Sequence, residues 1–238
     1  MTIHEQVPVI PWVLQSGYEA VAGHLLETYF GLGDSGEPYT GAHFETIGRR
    51  WDEPMFLDVI TSEDLVAVST LSLNVPASVS IDLLGPAGAR VTRLLRDIPA
   101  DLDLVDADDA ILSEESASSR LWTLLRTYDG MGPATTSKLI ARKRLRLAPI
   151  FDSVVERELG LGGSLGHWAG MRAALRDEDR SLHERARALH SSAGISSVVT
   201  PLRVVDIVIW MHGKDHARSD ELALSEGLVA PAHHEPIG

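Results

Sequence analysis

The chain has 238 residues, of which 44% are hydrophobic and 23% charged, a composition that excludes collagen-like and mainly disordered proteins. It contains no cysteine, which excludes disulfides, iron–sulfur clusters and thiol nucleophiles. No apolar run approaches the ~18 residues that a membrane helix needs, and no basic leader marks the N-terminus. We therefore expect a cytoplasmic protein that makes no membrane contact.

The net charge of −13 is unevenly distributed along the chain. Residues 1–119 contain 5 Lys/Arg and 20 Asp/Glu, whereas residues 120–238 contain 16 and 14. Because an acidic protein is a poor general binder of polyanions, a nucleic-acid site would have to be local and lie in the second half. The acidic first half is a candidate surface for a protein partner.

Apolar residues at helical spacing predict helices through most of the chain. In chain order, the predicted helices cover 18–30, 65–73, 88–96, 116–128, 134–144, 152–159, 165–176, 182–190 and 202–211. Thr61-Ser62-Glu63-Asp64 resembles a capped helix start, with a hydroxyl followed by early acids. Residues 81–84 fit either a strand or a helix, and a short β element before residue 115 remains an alternative.

These elements predict an all-α fold of two helical lobes with a cleft between them. The N-terminal lobe is expected over 1–115 and the second lobe over 116–216, followed by a flexible tail over 217–238. The acidic stretch 101–109 has the composition of a solvated connector, and we take it as the boundary region between the lobes.

Three motifs match the patterns of a dinucleotide site, a nucleophile elbow and a metal site, but the predicted elements around them do not fit those sites. The G-x-G-x-x-G match over 31–36 follows a helix rather than a strand, so it indicates a helix C-terminus. The G-x-S-x-G match over 162–166 also follows a helix, and Ser164 is expected to be the N-cap of the next one. His212 and His216 flank Asp215 and could hold a metal on a helix, but HGKDHARSD is typical of a polar loop, and no metal or cofactor is expected.

The segment around Gly130-Met131-Gly132 has the pattern of a hairpin between two helices. Glycines allow a tight turn, and their N–H groups together with the next helix N-terminus form a concavity suited to a phosphate oxygen. Met131 is expected to point inward and hold the helices together. The candidate nucleic-acid-binding residues are Gly130, Gly132, Thr135, Lys138, Arg142, Lys143 and Arg144. The alternative is an ordinary αα-hairpin with a solvated basic face.

The stretch from Leu121 to Val155 resembles the helix-hairpin-helix DNA glycosylase superfamily. In that family a G-h-G hairpin is followed by a helix, a loop and an aspartate that opens the next helix; here Asp152 lies 22 positions after Gly130. The string Pro-Ile-Phe-Asp ending at Asp152 is similar to the segment before the catalytic aspartate of adenine glycosylases. The resemblance implies cleavage of a base from deoxyribose, with Asp152 as the catalytic carboxylate that stabilises positive charge on the sugar.

The sequence also departs from that family. Ala134 stands where strand-cutting members carry a lysine, so the resemblance implies a monofunctional glycosylase without lyase chemistry. Val154 and Val155 follow where polar residues are frequent, and the cysteines of the cluster-bearing branch are absent. Two alternatives stay open: a non-catalytic helix-hairpin-helix module that binds DNA, and a retired glycosylase fold that serves as a protein-interaction scaffold. As an N-cap alone, Asp152 would need no catalytic role.

Overall fold

The structure is a computed structural model that describes residues 8–48, 53–161, 163–164 and 166–231. Its regular elements are helices, and no strand occurs among the described residues. The predicted all-α class is therefore confirmed, and the ambiguous residues 81–84 belong to a helix. The α-helices are, in chain order, α1 Glu19–Phe30, α2 Ser62–Thr70, α3 Ala77–Leu84, α4 Gly88–Arg96, α5 Asp109–Leu112, α6 Ala117–Arg126, α7 Pro133–Lys143, α8 Ser153–Glu158, α9 His167–Ser192, α10 Pro201–Lys214 and α11 His216–Ser225.

Two helix ends form as their sequences predict. The backbone N–H of Thr61 donates to the Asp64 carboxylate at 3.0 Å, which closes the first turn of α2 as a capping box. Gly31 ends α1 in the left-handed conformation at φ +62°, where an added Cβ would lie 2.7 Å from the Gly36 carbonyl oxygen. Only glycine fits that C-cap, so the G-x-G-x-x-G match is a helix end as predicted.

The helix α9 contains the two helices predicted around residue 180. Its backbone leaves helical geometry over Asp177–Arg180, and three of these residues have positive φ. The predicted N-cap, Ser164, is wrong: Gly166 is the N-cap at φ +79° and the helix begins at His167. Leu165, the predicted first residue, lies outside the described residues.

The chain divides into two compact units, which we call the terminal unit and the central unit. The terminal unit combines the residues up to Tyr39 with those from Phe151 onward. Its core is α10, which packs on α1, α8, α9, α11 and the 3₁₀ helix Trp12–Leu14. Ten residues of α10 are buried, and they include the polar Arg203, Asp206 and His212 as well as the valines and isoleucines of 204–209.

The central unit spans Thr40–Ile150 and contains α2 to α7. In it α7 packs on both α2 and α6, while α6 also packs on α4 and α5. Every residue from Thr135 to Lys143 of α7 is buried. The central unit therefore surrounds α7, and the basic residues of this helix are buried as a result.

The contacts divide the chain differently from the predicted lobes, since residue 115 lies inside the central unit. The acidic stretch 101–109 is not a solvated connector: Leu104 and Val105 are buried in a 3₁₀ helix, and the Leu104 N–H donates to the Arg146 carbonyl at 2.9 Å. The predicted tail is also wrong over its first part, because α11 continues to Ser225 and buries Leu222 against the terminal unit. The remainder, from residue 232, lies outside the described residues.

Candidate nucleic-acid interface

The hairpin, residues 127–132, joins α6 to α7 with a tight turn. Gly130 has φ +79°, and the Met131 N–H donates to the Tyr128 carbonyl at 3.2 Å. Met131 is 1% exposed, as expected of the residue that holds the two helices together. The guanidinium of Arg126 donates to the Met131 carbonyl and closes the turn from the α6 side.

The two glycines of the hairpin have different surroundings. An added Cβ at Gly130 would lie 2.8 Å from the Pro76 side chain, so this glycine permits a close approach to the start of α3. Gly132 is the N-cap of α7 at φ −66°, with Pro133 as the first helical residue and no atom within 4 Å of an added Cβ. The open side of the hairpin therefore lies at Gly132 and the N-terminus of α7, where backbone N–H groups are unsatisfied by the helix itself.

The basic residues of α7 do not form the exposed face that the sequence predicts. Lys138, Arg142, Lys143 and Arg144 are between 1% and 4% exposed, and Thr135 is buried with them. Lys138 donates to the Leu71 carbonyl at 3.1 Å, beyond the end of α2. A phosphate in solvent has no access to these charged groups in this conformation.

Asp64 is the counter-ion of two of these buried cations. Its carboxylate accepts from Arg142 Nε at 3.1 Å and from Lys143 Nζ at 2.9 Å, and all three side chains are at most 1% exposed. The same carboxylate caps α2 at Thr61. Burial lowers the pKa of the Lys143 ammonium, and the neighbouring Asp64 charge opposes that shift. Asp64 thus joins α2 to α7 through its ion pairs and also caps the first turn of α2.

Arg142 and Lys143 also bind backbone carbonyls of the irregular segment before α2. Arg142 donates to the Phe44 carbonyl and, at 2.6 Å, to the Ile47 carbonyl. Lys143 donates to the Phe56 carbonyl at 2.9 Å. Buried carbonyls outside helices need partners, and these two side chains supply them.

Arg144 binds the C-terminal end of α4 in the same way. Its Nε donates to the Ile98 carbonyl at 2.8 Å, and its guanidinium also donates to the Leu95 carbonyl and to Asp58, the latter at 2.6 Å. Burial lowers the pKa of Arg144, whereas the hydrogen bond and charge of Asp58 act in the opposite direction. The basic cluster is therefore an internal scaffold in the described structure.

The exposed basic residues near the hairpin lie on α4 and α6 instead. The exposed arginine set consists of Arg90, Arg93, Arg96, Arg120 and Arg126. The first three follow one another at three-residue spacing along α4, which packs on α6. Among the described residues, no ion pair involves any of the five. The sequence showed α4 as a basic amphipathic helix, but its nearness to the hairpin is a tertiary fact.

Tyr128, near the start of the hairpin, is hydrogen-bonded to α3. Its hydroxyl donates to the Asp82 carboxylate at 2.5 Å. That hydrogen bond, together with desolvation and the Asp82 charge, raises the pKa of Tyr128, and the positive charge of Arg90 opposes the shift. The exposed Asp129 follows directly, so two acids lie beside the candidate phosphate site.

Asp152 belongs to the terminal unit and is the N-cap of α8. Its Oδ1 accepts from the N–H groups of Val154 and Val155 at 3.0 and 3.1 Å, and the residue is partly exposed. An N-cap position is expected both if Asp152 only caps α8 and if it is the catalytic carboxylate, so the position does not distinguish the two interpretations. In the same unit, Trp210 of α10 packs against Tyr29 and Tyr39.

The segment around His212 and His216 is not a loop, contrary to its prediction. Helix α10 continues to Lys214, Asp215 is the N-cap of α11, and His216 is its first residue. Glu158, which sequence reasoning missed, lies 2.9 Å from His216 Nε2. No sequence signal could have identified Glu158, because it ends a helix 58 positions earlier.

No helix among the described residues is both long and apolar enough to cross a membrane. The sequence model of a protein family, DUF6308, described as a family of unknown function, matches residues 22–213. No curated protein and no solved structure matches the chain.

Proposed function

We infer a function from the geometry of the molecule itself, because the chain belongs to DUF6308, a family of unknown function. We propose that α6, the hairpin and α7 form a helix-hairpin-helix that binds the phosphates of duplex DNA without reading its sequence. The observation that best supports DNA binding is the open N-terminus of α7 at Gly132. It lies beside a hairpin whose Met131 is buried. Backbone N–H groups at such a terminus suit a phosphate oxygen.

The exposed arginine set supplies the positive charge in this proposal. Arg90 belongs to α4, which packs on α6 directly before the hairpin, and its positive charge opposes the rise in the pKa of Tyr128. Arg126 contacts the hairpin through the Met131 carbonyl. The buried cations of α7 hold the scaffold behind the hairpin and do not touch the ligand. The overall charge of −13 keeps such binding weak, in the range of about 10⁻⁴–10⁻⁶ M that non-specific DNA binding shows.

The test is a fluorescence anisotropy titration of a labelled duplex between about 50 and 200 mM salt. The variant Arg90→Gln/Arg93→Gln should weaken binding and reduce the slope of log K against log salt by about 0.9 for each phosphate that the arginines neutralise. Asp129→Asn should strengthen binding, because it removes a negative charge from the hairpin. The matched control is Arg187→Gln/Arg218→Gln, which removes two exposed arginines from α9 and α11.

Equal weakening of binding in the two double variants would contradict the proposed interface. Absence of any salt-dependent binding by the wild-type protein would contradict DNA binding altogether and favour the protein-interaction scaffold. Replacing Arg142 or Lys143 is unsuitable as a test, since it would disturb buried ion pairs and confuse folding with binding.

A second candidate function is N-glycosidic bond cleavage with Asp152 as the catalytic carboxylate. The observation that favours it is the fixed carboxylate: Oδ1 is held by two backbone N–H groups at the start of α8, as the resemblance implies. Asn is as good an N-cap as Asp, so Asp152→Asn removes the charge and retains the helix start. In a base-release assay on duplexes with damaged or mispaired bases, this variant should lose release and keep its DNA affinity. Equal release by both proteins would contradict the catalytic role.

A further inference from the structure

The terminal unit brings together two histidines and a glutamate from three helices. Glu158 ends α8, His212 lies near the end of α10, and His216 opens α11. One ligand atom from each side chain lies within 4.8 Å of the other two. We propose that these three residues bind a Zn²⁺ ion, with water in the fourth position.

The ligand types and their burial suit this ion. Two imidazole nitrogens and one carboxylate oxygen form a set that zinc uses with a bound water. His212 is 3% exposed, and the side chain of Glu158 is 9% exposed, so both are withdrawn from bulk water. The side chain of His216 is 37% exposed, which gives an ion and its water an entry from solvent.

The distances are close to those that coordination requires. His216 Nε2 and Glu158 Oε2 are 2.9 Å apart. Tetrahedral ligands at about 2.0–2.2 Å from zinc lie about 3.4 Å from one another. Because no pair of ligand atoms is more than 4.8 Å apart, the atoms of the widest pair would have to approach each other by about an ångström for zinc to bind.

The groups around the site orient two of the ligands. His212 Nδ1 lies 3.0 Å from Ser219 Oγ, whose own hydrogen is directed to the Asp215 carbonyl at 3.4 Å. In the zinc complex His212 would donate from Nδ1 to Ser219, so that Nε2 would carry the lone pair that the metal needs. Hydrogen bonds of this kind commonly fix the tautomer of metal-binding histidines.

Glu158 is positioned by its neighbours as well. Arg157 donates to Glu158 Oε1 at 3.1 Å and to the Gly213 carbonyl at 2.6 Å, which leaves Oε2 directed to His216. An added Cβ at Gly213 would lie 2.4 Å from Glu158 Cγ, so the carboxylate reaches the histidines only because residue 213 is glycine. Neighbouring residues therefore position the Glu158 carboxylate, which distinguishes this contact from a chance surface pairing of a histidine and an acid.

The proposal is tested by calorimetric titration of untagged, EDTA-treated full-length protein with Zn²⁺. We expect one ion for each chain in the wild type. Glu158→Gln and His216→Gln should each weaken binding at least 10-fold, and Ser219→Ala should weaken it by about 10- to 100-fold as a positioning residue. The matched controls His43→Gln and Glu221→Gln replace exposed side chains elsewhere and should bind as the wild type does.

A second readout locates the ion. The ring of Trp12 packs edge-on against His212 with centroids 5.4 Å apart, so Co²⁺ in the site should quench the fluorescence of Trp12. The quenching should decrease in Trp12→Phe and be absent from His216→Gln. Failure to bind any ion, or equal binding by the two ligand variants and their controls, would overturn the proposal and leave an ordinary hydrogen-bonded pair. Circular dichroism identifies a variant that has lost its fold, and the remaining ligand variant then decides the test.

Discussion

At the scale of single residues, the central unit depends on a carboxylate that serves three groups at once. Asp64 accepts from Arg142, from Lys143 and from its own helix N-terminus while almost wholly buried. A buried ion pair is a weak net stabiliser against apolar replacement, but removal of one partner leaves an uncompensated charge inside the protein. Two such charges would remain if Asp64 were neutralised.

The variant Asp64→Asn should therefore lower the free energy of unfolding by about 3–5 kcal/mol. The measurement is the urea midpoint at neutral pH. Asp101→Asn, an exposed acid of the same unit, is the control and should change stability by less than about 0.5 kcal/mol. A small effect of Asp64→Asn would mean that Arg142 and Lys143 are satisfied by carbonyls alone.

Tyr128 provides a prediction of pH dependence. Its pKa is raised above the ordinary value of 10.0 because its hydroxyl donates to Asp82, so this contribution to stability is complete below pH 10 and is lost as pH rises through the raised pKa. Tyr128→Phe should cost about 0.5–1.5 kcal/mol at neutral pH. In urea titrations the difference between the two proteins should decrease as pH rises above 10 and vanish above the raised pKa of Tyr128; a difference independent of pH would contradict the hydrogen bond.

At the scale of elements, the turn between α6 and α7 and the burial of Met131 agree with signals that are local in the sequence. The turn depends on the positive φ of Gly130, on the buried Met131 and on Pro133 at the start of α7. All three lie within six residues of one another. The exposure of α7 was predicted wrongly for the opposite reason. Its sequence combines apolar Leu139 and Ile140 with basic residues, as an amphipathic surface helix would, whereas segments from elsewhere in the central unit cover the basic side chains.

The two glycines of the hairpin form a matched pair for mutation. Gly130→Ala should destabilise the protein by about 1–2 kcal/mol for the left-handed backbone alone, and more because the Cβ would contact Pro76. Gly132→Ala meets open space at an ordinary φ, and should cost only about 0.5 kcal/mol as a poorer N-cap. Thermal melting of both variants checks this; equal shifts would contradict the turn geometry.

At the scale of the whole molecule, the chain forms two units whose boundaries are not those of the predicted lobes. The terminal unit joins both ends of the sequence around α10, and the central unit is a single continuous segment. The acidic stretch 101–109 resembled a linker by composition, yet its Leu104, Val105 and Ala107 are buried. The cleft between lobes, the DNA partner and the cytoplasmic location stay predictions.

This organisation predicts a gradient of hydrogen exchange across the molecule. Amides of α10, with ten buried residues, should exchange most slowly, because their exposure requires the terminal unit to open. Amides of α5 should exchange fastest among the helices, since it is four residues long and buries none of them. Mass spectrometry of exchange at neutral pH measures both; rapid exchange in α10 would contradict its central position.

The sequence by itself determined the helical class, most helix positions, the capping box of α2, the C-cap of α1 and the shape of the hairpin. Each depends on side-chain periodicity or on backbone preferences within a few residues. Only the tertiary structure decided that the cations of α7 are buried, that α4 with its exposed arginines packs on α6 beside the hairpin, and that Glu158 lies next to two histidines. Burial and charge pairing depend on which distant segments cover a helix face, and spacing along a chain does not encode that.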